Sequence, residues 1–103
     1  MNDLLLGKTI LITGGTSRLG TAFVRKAIRE QARVFFTYHH AEEEARVLSG
    51  EGAEGFQLPL ESIPAIDQFI QCLKTKTDNL DILIHNAAAT RDHTILNMTE
   101  IVL

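Results

Sequence analysis

The chain has 103 residues, of which 45% are hydrophobic, and this predicts one small domain with a core of ordinary size. A formal charge of −3 and the lack of any Lys/Arg cluster argue against a surface for nucleic acid. The single cysteine, Cys72, excludes an intramolecular disulfide and has no metal-ligand spacing to the scattered histidines, so we expect a cytoplasmic protein without a bound metal.

The first predicted elements are a strand and a helix. An apolar run at residues 4–6 is too short for a signal peptide or a membrane span, so we expect no contact with a membrane. Residues 8–13 (KTILIT) are rich in β-branched residues and predict a buried strand, while residues 18–30 have the spacing of an amphipathic helix. The predicted inward face of this helix consists of Leu19, Ala22, Phe23, Ala27 and Ile28.

The next stretch repeats the same alternation. Residues 33–38 predict a second strand and residues 41–48 a second helix, with Ala45 and Leu48 inward. Three glutamates at residues 42–44 lie near its start, where negative charge suits the positive end of the helix dipole.

The last predicted elements are a third strand at residues 55–58, a third helix and a fourth strand at residues 81–84. Ser62 is expected to cap the third helix, and Pro64 is tolerated in its first turn. Its apolar stripe contains Ile63, Ile66, Ile70 and Leu73. A polar segment at residues 89–93 leads into an incomplete helical stretch.

This β-α-β-α-β-α-β order predicts an α/β fold with a parallel sheet and right-handed crossovers. We expect a Rossmann-like doubly wound sheet, truncated to about four strands in the order 3-2-1-4, with helices on both faces. The fourth strand would then be a bare apolar edge that invites association, so a homo-oligomer is expected.

The segment between the first strand and the first helix, the glycine loop (residues 14–20), follows Thr13 and reads GGTSRLG. Its glycines let the backbone turn sharply and approach a ligand, and the start of a helix attracts phosphate. The sequence therefore favours nucleotide binding over a merely tight turn, which one glycine would satisfy. A Walker A loop would need a Lys after Gly20, where Thr21 stands, and the G-x-G-x-x-G pattern does not match either.

The glycine loop resembles the T-G-x-x-x-G-x-G motif of the short-chain dehydrogenase/reductase family, with Thr13, Gly14 and Gly20 in place. Arg18 stands at the middle glycine, which is similar to the pteridine reductase branch, where an Arg approaches the cofactor phosphates. The family's N-N-A-G motif is similar to residues 85–88, which read H-N-A-A. Residues 90–92, with Met98 downstream, resemble the β-ketoacyl-acyl-carrier-protein reductases.

The resemblance implies a nicotinamide cofactor, and the end of the second strand has no acid to bind the ribose 2′-hydroxyl of NAD. We therefore expect NADP(H) in preference to NAD(H). The expected donors to its 2′-phosphate are Arg18, Thr37, His39 and His40, unless the two histidines are a solvated pair. All cofactor contacts are expected from Gly14, Thr16, Ser17, Arg18, Leu19, Gly20, Tyr38, His39, His40, Leu60, Asn86, Ala87 and Ala88.

Three of these positions carry a further expectation. Leu60 follows Pro59, which replaces the family's adenine-binding Asp, so Leu60 could offer only a backbone contact. Ala88 adds a methyl group near the cofactor ribose, which should reduce affinity. Asn86 either belongs to the cofactor site or simply ties the fourth strand to its neighbour.

The family reduces carbonyl groups by hydride transfer and uses a Tyr-x-x-x-Lys pair, whereas the sole tyrosine here, Tyr38, has Glu42 four residues later in place of the Lys. We therefore expect no catalytic residue in residues 1–103, which would be the N-terminal dinucleotide-binding part of a domain incomplete at its C-terminus. The expected function is the NADPH-binding half of a short-chain oxidoreductase acting on a 3-oxoacyl or pterin-like substrate. The alternative is a non-catalytic, truncated or vestigial nucleotide-binding module that self-associates.

Overall fold

The computed structural model describes residues 4–59 and 61–86 of the chain. Within them, strands and helices alternate as predicted, and the predicted bounds agree to within two residues, the usual uncertainty at element ends. The elements are β1 (Thr9–Thr13), α1 (Arg18–Arg29), β2 (Arg33–Tyr38), α2 (Glu42–Gly50), β3 (Glu54–Gln57), α3 (Ile63–Lys76) and β4 (Ile82–His85). Across the described part of the chain, every helix is too short or too polar to span a membrane.

The four strands form one parallel sheet in the order β3-β2-β1-β4, which confirms the predicted Rossmann-like topology. β1 is central, and its Leu11 pairs with Phe35 of β2 on one side and with Leu83 of β4 on the other. The chain runs outward from β1 to β3 and then returns to the opposite side of β1. The strand order therefore reverses between β1 and β4, where open α/β sheets bind ligands at the carboxyl ends of their strands.

The two faces of the sheet are covered differently. On one face, Ile10 and Ile12 of β1 belong to a buried cluster to which α1 and α2 contribute Val24, Ala27, Ala45 and Leu48. Successive strand residues point to opposite faces, so Leu11 and Phe35 lie on the other one. There the Phe35 ring lies 6.1 Å from the Phe56 ring, which lies 5.2 Å from Phe69 of α3. Helices therefore lie on both faces, as predicted.

The inward face of α1 differs from the prediction at its first positions. Gly20, Val24 and Ala27 are the buried residues of α1, whereas Leu19 is 56% exposed and Ala22 is also exposed. The apolar pattern allowed either stripe, and the structure selects the one with the smallest residue at the start. A glycine there brings the first turn of α1 close to the sheet, and Leu19 is turned outward at the helix start.

The start signals of α2 and α3 are confirmed. Residues 42–44 form the acidic first turn of α2, and the Ser62 hydroxyl accepts a hydrogen bond from the Ala65 N–H at 3.3 Å, capping α3. The apolar stripe of α3 is only partly covered, because Ile63 is 71% exposed and Ile70 is 42% exposed, whereas Ile66 and Leu73 are half-buried. Apolar periodicity identifies a helix face but does not show whether another element covers it.

Candidate functional site

Close packing fixes the backbone of the glycine loop. Gly14 has φ +70°, a left-handed conformation that favours glycine. A Cβ on Gly15 would lie 2.6 Å from the Cβ of Phe36, and one on Gly20 would overlap the carbonyl oxygen of Gly14. Each glycine is therefore required for a separate reason, and together they bring the start of α1 against the end of β1.

Ser17 is the N-cap of α1, and two backbone N–H groups in the first turn of α1 remain without an acceptor among the described residues. Its hydroxyl donates to the Gly14 carbonyl at 3.1 Å and accepts from the Gly20 N–H at 2.9 Å, while the Thr21 N–H bonds the Ser17 carbonyl at 2.8 Å. The N–H groups of Arg18 and Leu19 have no acceptor among the described residues. Two free amides at the positive end of a helix dipole suit a bound anion.

Asn86, directly after β4, bonds to the glycine loop through its side chain. Its Nδ2 donates to the Gly14 carbonyl at 3.0 Å and to the Ser17 hydroxyl at 2.8 Å. Its backbone N–H donates to the Thr13 hydroxyl at 3.0 Å. Asn86 thus ties β4 to β1 through its backbone, one of the two predicted possibilities, and also fixes the loop through its amide.

His85, the last residue of β4, contacts the same threonine. Its Nδ1 lies 2.9 Å from the Thr13 hydroxyl oxygen. The ring is half-buried, and this burial lowers the pKa of His85 from its ordinary value of 6.5, because a charged imidazole would lose hydration. Sequence reasoning gave no role to His85 beyond its place in the motif, since its partner in β1 is 72 residues away in the chain.

Thr37 of β2 holds the glycine loop by hydrogen bonds and does not face the position expected for the 2′-phosphate. Its side chain accepts from the Gly14 N–H at 3.3 Å, and its carbonyl accepts from the Gly15 N–H at 2.8 Å. With only 1% of the residue exposed, its hydroxyl is not accessible to a phosphate. The expectation that Thr37 donates to the 2′-phosphate is therefore corrected, because burial in the sheet decides which end-of-strand hydroxyls face solvent.

The end of β2 presents a stacked pair of exposed histidines. The rings of His39 and His40 lie 3.8 Å apart between centroids, with an interplanar angle of 28°. The His39 carbonyl accepts from the Gln57 side chain at 2.9 Å, which fixes the backbone while both rings remain exposed. Tyr38 is half-buried, with its ring 6.1 Å from that of Phe36. These side chains lie at the same sheet edge as the glycine loop.

Of the remaining residues predicted to contact the cofactor, some lie within the part of the chain that the structure describes and others lie outside it. Arg18 is exposed and forms no ion pair with any residue in the described ranges, and Thr16 is half-buried on the loop. The donor set of the loop, two free amides beside one unpaired guanidinium, fits a diphosphate. Leu60, Ala87 and Ala88 lie outside the described residues, as do the predictions for residues 89–93 and Met98.

Comparison with known proteins shows the family to which the chain is similar. Residues 8–102 match the model of the short chain dehydrogenase family. The chain is 34% identical over 94 residues to 3-oxoacyl-[acyl-carrier-protein] reductase FabG of Buchnera aphidicola, a match that covers 88% of this chain and 38% of that protein. It is 32% identical over 105 residues to the FabG of Aquifex aeolicus, covering 96% of this chain and 42% of that protein.

Solved structures give the same relation. The RhlG/NADP active-site complex of Pseudomonas aeruginosa superposes with a TM-score of 0.72 at 30% identity, covering 82% of this chain and 36% of that one. A short-chain dehydrogenase/reductase from Serratia marcescens superposes with a TM-score of 0.75 at 26% identity, covering 82% and 37%. The chain thus spans roughly two fifths of the length of these relatives.

Proposed function

The chain belongs to the short-chain dehydrogenase family, and from that premise we propose that its glycine loop holds the diphosphate of a nicotinamide dinucleotide, NADP(H) in preference to NAD(H). The observation that carries the proposal is the pair of N–H groups of Arg18 and Leu19 at the start of α1, which have no acceptor within residues 4–59 and 61–86. Gly15 and Gly20 let the loop pack against Phe36 and the Gly14 carbonyl, and this packing brings the start of α1, with its N–H groups, to the end of β1.

Different parts of the site would hold different parts of the cofactor. The glycine loop, including Thr16 and Ser17, takes the diphosphate. The end of β2 takes the adenosine ribose, and Leu60 offers a backbone contact toward the adenine. Asn86 follows β4 at the strand-order reversal, and we propose that it contacts the second ribose together with Ala87 and Ala88, the next residues in the sequence. The nicotinamide, when bound, supplies the hydride for carbonyl reduction. The described residues would bind and orient the rest of the dinucleotide.

The preference for NADP(H) rests on charge at the end of β2. No carboxylate occupies the strand end, so a 2′-phosphate meets no repulsion from Tyr38, His39 or His40. Arg18, which has no ion pair within the described ranges, and the exposed imidazoles would supply hydrogen-bond donors for it. Glu43 of the neighbouring acidic turn is paired with Arg46 at 2.6 Å, which reduces the opposing charge.

For the whole protein we propose carbonyl reduction of a 3-oxoacyl or pterin-like substrate. The names of the curated relatives support the first substrate, and the Arg18 resemblance to pteridine reductases supports the second. The 103 residues contain no Tyr-x-x-x-Lys pair, so we propose that they bind cofactor and do not reduce a carbonyl by themselves. We propose a cytoplasmic location, in keeping with the exposed free thiol of Cys72.

The alternative function is a vestigial nucleotide-binding module that self-associates. Within the described sheet β4 pairs with β1 alone, and a parallel edge of apolar residues favours pairing with a second copy. Light scattering on the 103-residue chain measures this directly, and a dimer that binds no dinucleotide would favour the alternative.

Titration of the chain with NADPH and with NADH tests the proposed function. We expect saturable binding of both, with NADPH bound more tightly. Arg18→Ala should weaken NADPH binding by about tenfold, because a charge-assisted contact to phosphate is lost. Arg29→Ala, at the exposed opposite end of α1, is the matched control and should leave binding unchanged. Absence of binding for both dinucleotides, or equal effects of the two substitutions, would contradict the proposal.

A further inference from the structure

One hydroxyl joins β4 to the start of the glycine loop. The Thr13 hydroxyl oxygen, immediately before Gly14, lies 2.9 Å from His85 Nδ1 and accepts from the Asn86 N–H at 3.0 Å. Asn86 in turn holds the Gly14 carbonyl through its side chain. The position of Gly14 therefore depends on a continuous set of hydrogen bonds that begins at the His85 ring.

The protonation state of His85 determines how this set is satisfied. A backbone N–H can only donate, so Thr13 must accept from Asn86. With His85 neutral and its Nδ1 free of hydrogen, the Thr13 hydroxyl donates to Nδ1, and the same hydroxyl meets both partners. A charged imidazole carries hydrogen on both nitrogens and can only donate, so the Thr13 hydroxyl hydrogen would have to turn away from His85.

The surroundings of His85 favour its neutral form. β1 has no ionisable side chain, β4 has none besides His85, and the one ionisable side chain of the glycine loop, Arg18, is positive. Burial lowers the pKa of His85. At pH values above 6.5, the ordinary histidine pKa, keeping His85 neutral does not reduce the stability of the fold. As pH falls below that value, the unfolded chain binds a proton more readily than the folded one, so stability falls progressively.

We infer that neutral His85 is a positioning residue for the glycine loop: it accepts the Thr13 hydroxyl hydrogen, keeps Gly14 in its binding shape, and makes dinucleotide affinity fall in acid. This rests on the proposed function. The direction of the pH effect distinguishes this positioning role from electrostatic attraction. A positive imidazole near a diphosphate would strengthen binding as pH falls, whereas loss of the loop geometry weakens binding.

The first test compares dinucleotide binding by the full chain at two pH values. NADH is the probe, because it lacks the 2′-phosphate that His39 and His40 would contact. Between about pH 7.5 and about pH 5.5 we expect the wild-type Kd to rise about fivefold. His85→Asn keeps a hydrogen-bonding amide that does not titrate, and the Kd of this variant should change by less than about twofold between the same two pH values. Stronger binding in acid, or the same pH profile in both proteins, would overturn the inference.

The second test needs no ligand, so it separates failure of the inference from failure of the proposed function. Amide signals of Gly14 and Gly15 are followed by NMR against pH in a His39→Asn/His40→Asn background, with and without His85→Asn. We expect both signals to titrate in the background and to lose that titration with His85→Asn. Titration that persists without His85 would overturn the inference even if dinucleotide binds.

Two substitutions of Thr13 test the same hydrogen bond in case the His85 variant does not fold. Thr13→Ser keeps the hydroxyl and should retain the pH dependence of the Gly14 signal. Thr13→Val removes the hydroxyl, leaves the Asn86 N–H without its acceptor, and should abolish that dependence. Equal titration in both Thr13 variants would overturn the role given to this hydroxyl.

Discussion

Two loops leave the carboxyl edge of the sheet side by side, and they are built differently. The glycine loop after β1 is held by hydrogen bonds with Thr37 of β2, with Asn86 after β4 and with Thr21 of α1. Gly15 and Gly20 in it have no room for a side chain. The turn after β2 is held mainly through carbonyls, as in the bond from Gln57 to His39, and its two histidine rings stack in solvent.

The difference separates two tasks. The diphosphate is common to all nicotinamide dinucleotides, and backbone amides in a rigid loop suit such a constant group. The 2′-substituent distinguishes NADP from NAD, and exposed side chains such as His39 and His40 can be exchanged without disturbing the sheet. We therefore expect substitutions of the loop glycines to affect binding of every dinucleotide, and substitutions of His39 or His40 to alter preference alone.

The largest effect is expected at Gly20. A Cβ there would overlap the Gly14 carbonyl oxygen and lie 2.8 Å from Asn86 Nδ2, so the loop must shift. We expect Gly20→Ala to weaken NADPH and NADH binding at least about a hundredfold and to lower the free energy of unfolding by about 1–3 kcal/mol. Isothermal titration and chemical denaturation measure the two effects.

The matched control for Gly20 is Gly50, at the end of α2. A Cβ at Gly50 meets nothing within 4 Å. Gly50→Ala should therefore leave binding unchanged and raise the free energy of unfolding by up to about 1 kcal/mol, because alanine is the better helix former. If Gly20→Ala bound dinucleotide as well as Gly50→Ala does, the close packing of the loop would not govern binding.

An intermediate effect is expected at Asn86. Asn86→Ala removes the donors to the Gly14 carbonyl and the Ser17 hydroxyl, which should cost about 1–3 kcal/mol of stability and weaken both dinucleotides about tenfold. Asn79→Ala is the control, since Asn79 makes one exposed side-chain bond to Asp81 at 3.3 Å. Similar affinities of the two variants would show that Asn86 does not position the loop.

The smallest effect is expected at the stacked histidines. His40→Arg should tighten NADPH binding about threefold relative to NADH, because a guanidinium contacts phosphate through two donors. His40→Asn should shift the ratio the other way. Gln68→Arg, on exposed α3, adds the same charge elsewhere and controls for net charge. An equal gain for NADPH and NADH in His40→Arg would place His40 outside the 2′-phosphate site.

Prediction from sequence succeeded best where a signal was local. The Ser62 cap, the acidic first turn of α2 and the β-branched runs of β1 and β2 act within a few residues of themselves, so the element order was predictable. The glycine pattern likewise located the loop. The inward face of α1 was mispredicted at Leu19 because several apolar stripes were possible, and only the sheet beneath selects one.

The sequence by itself determined the alternation of strands and helices, the place of the glycine loop and the absence of an acid at the end of β2, since these depend on neighbouring residues. The tertiary structure decided that Thr37 is buried under the loop, that Asn86 holds the Gly14 carbonyl, and that His85 shares the Thr13 hydroxyl. Those contacts join residues that are far apart in the chain, and only the pairing of parallel strands brings them to one edge.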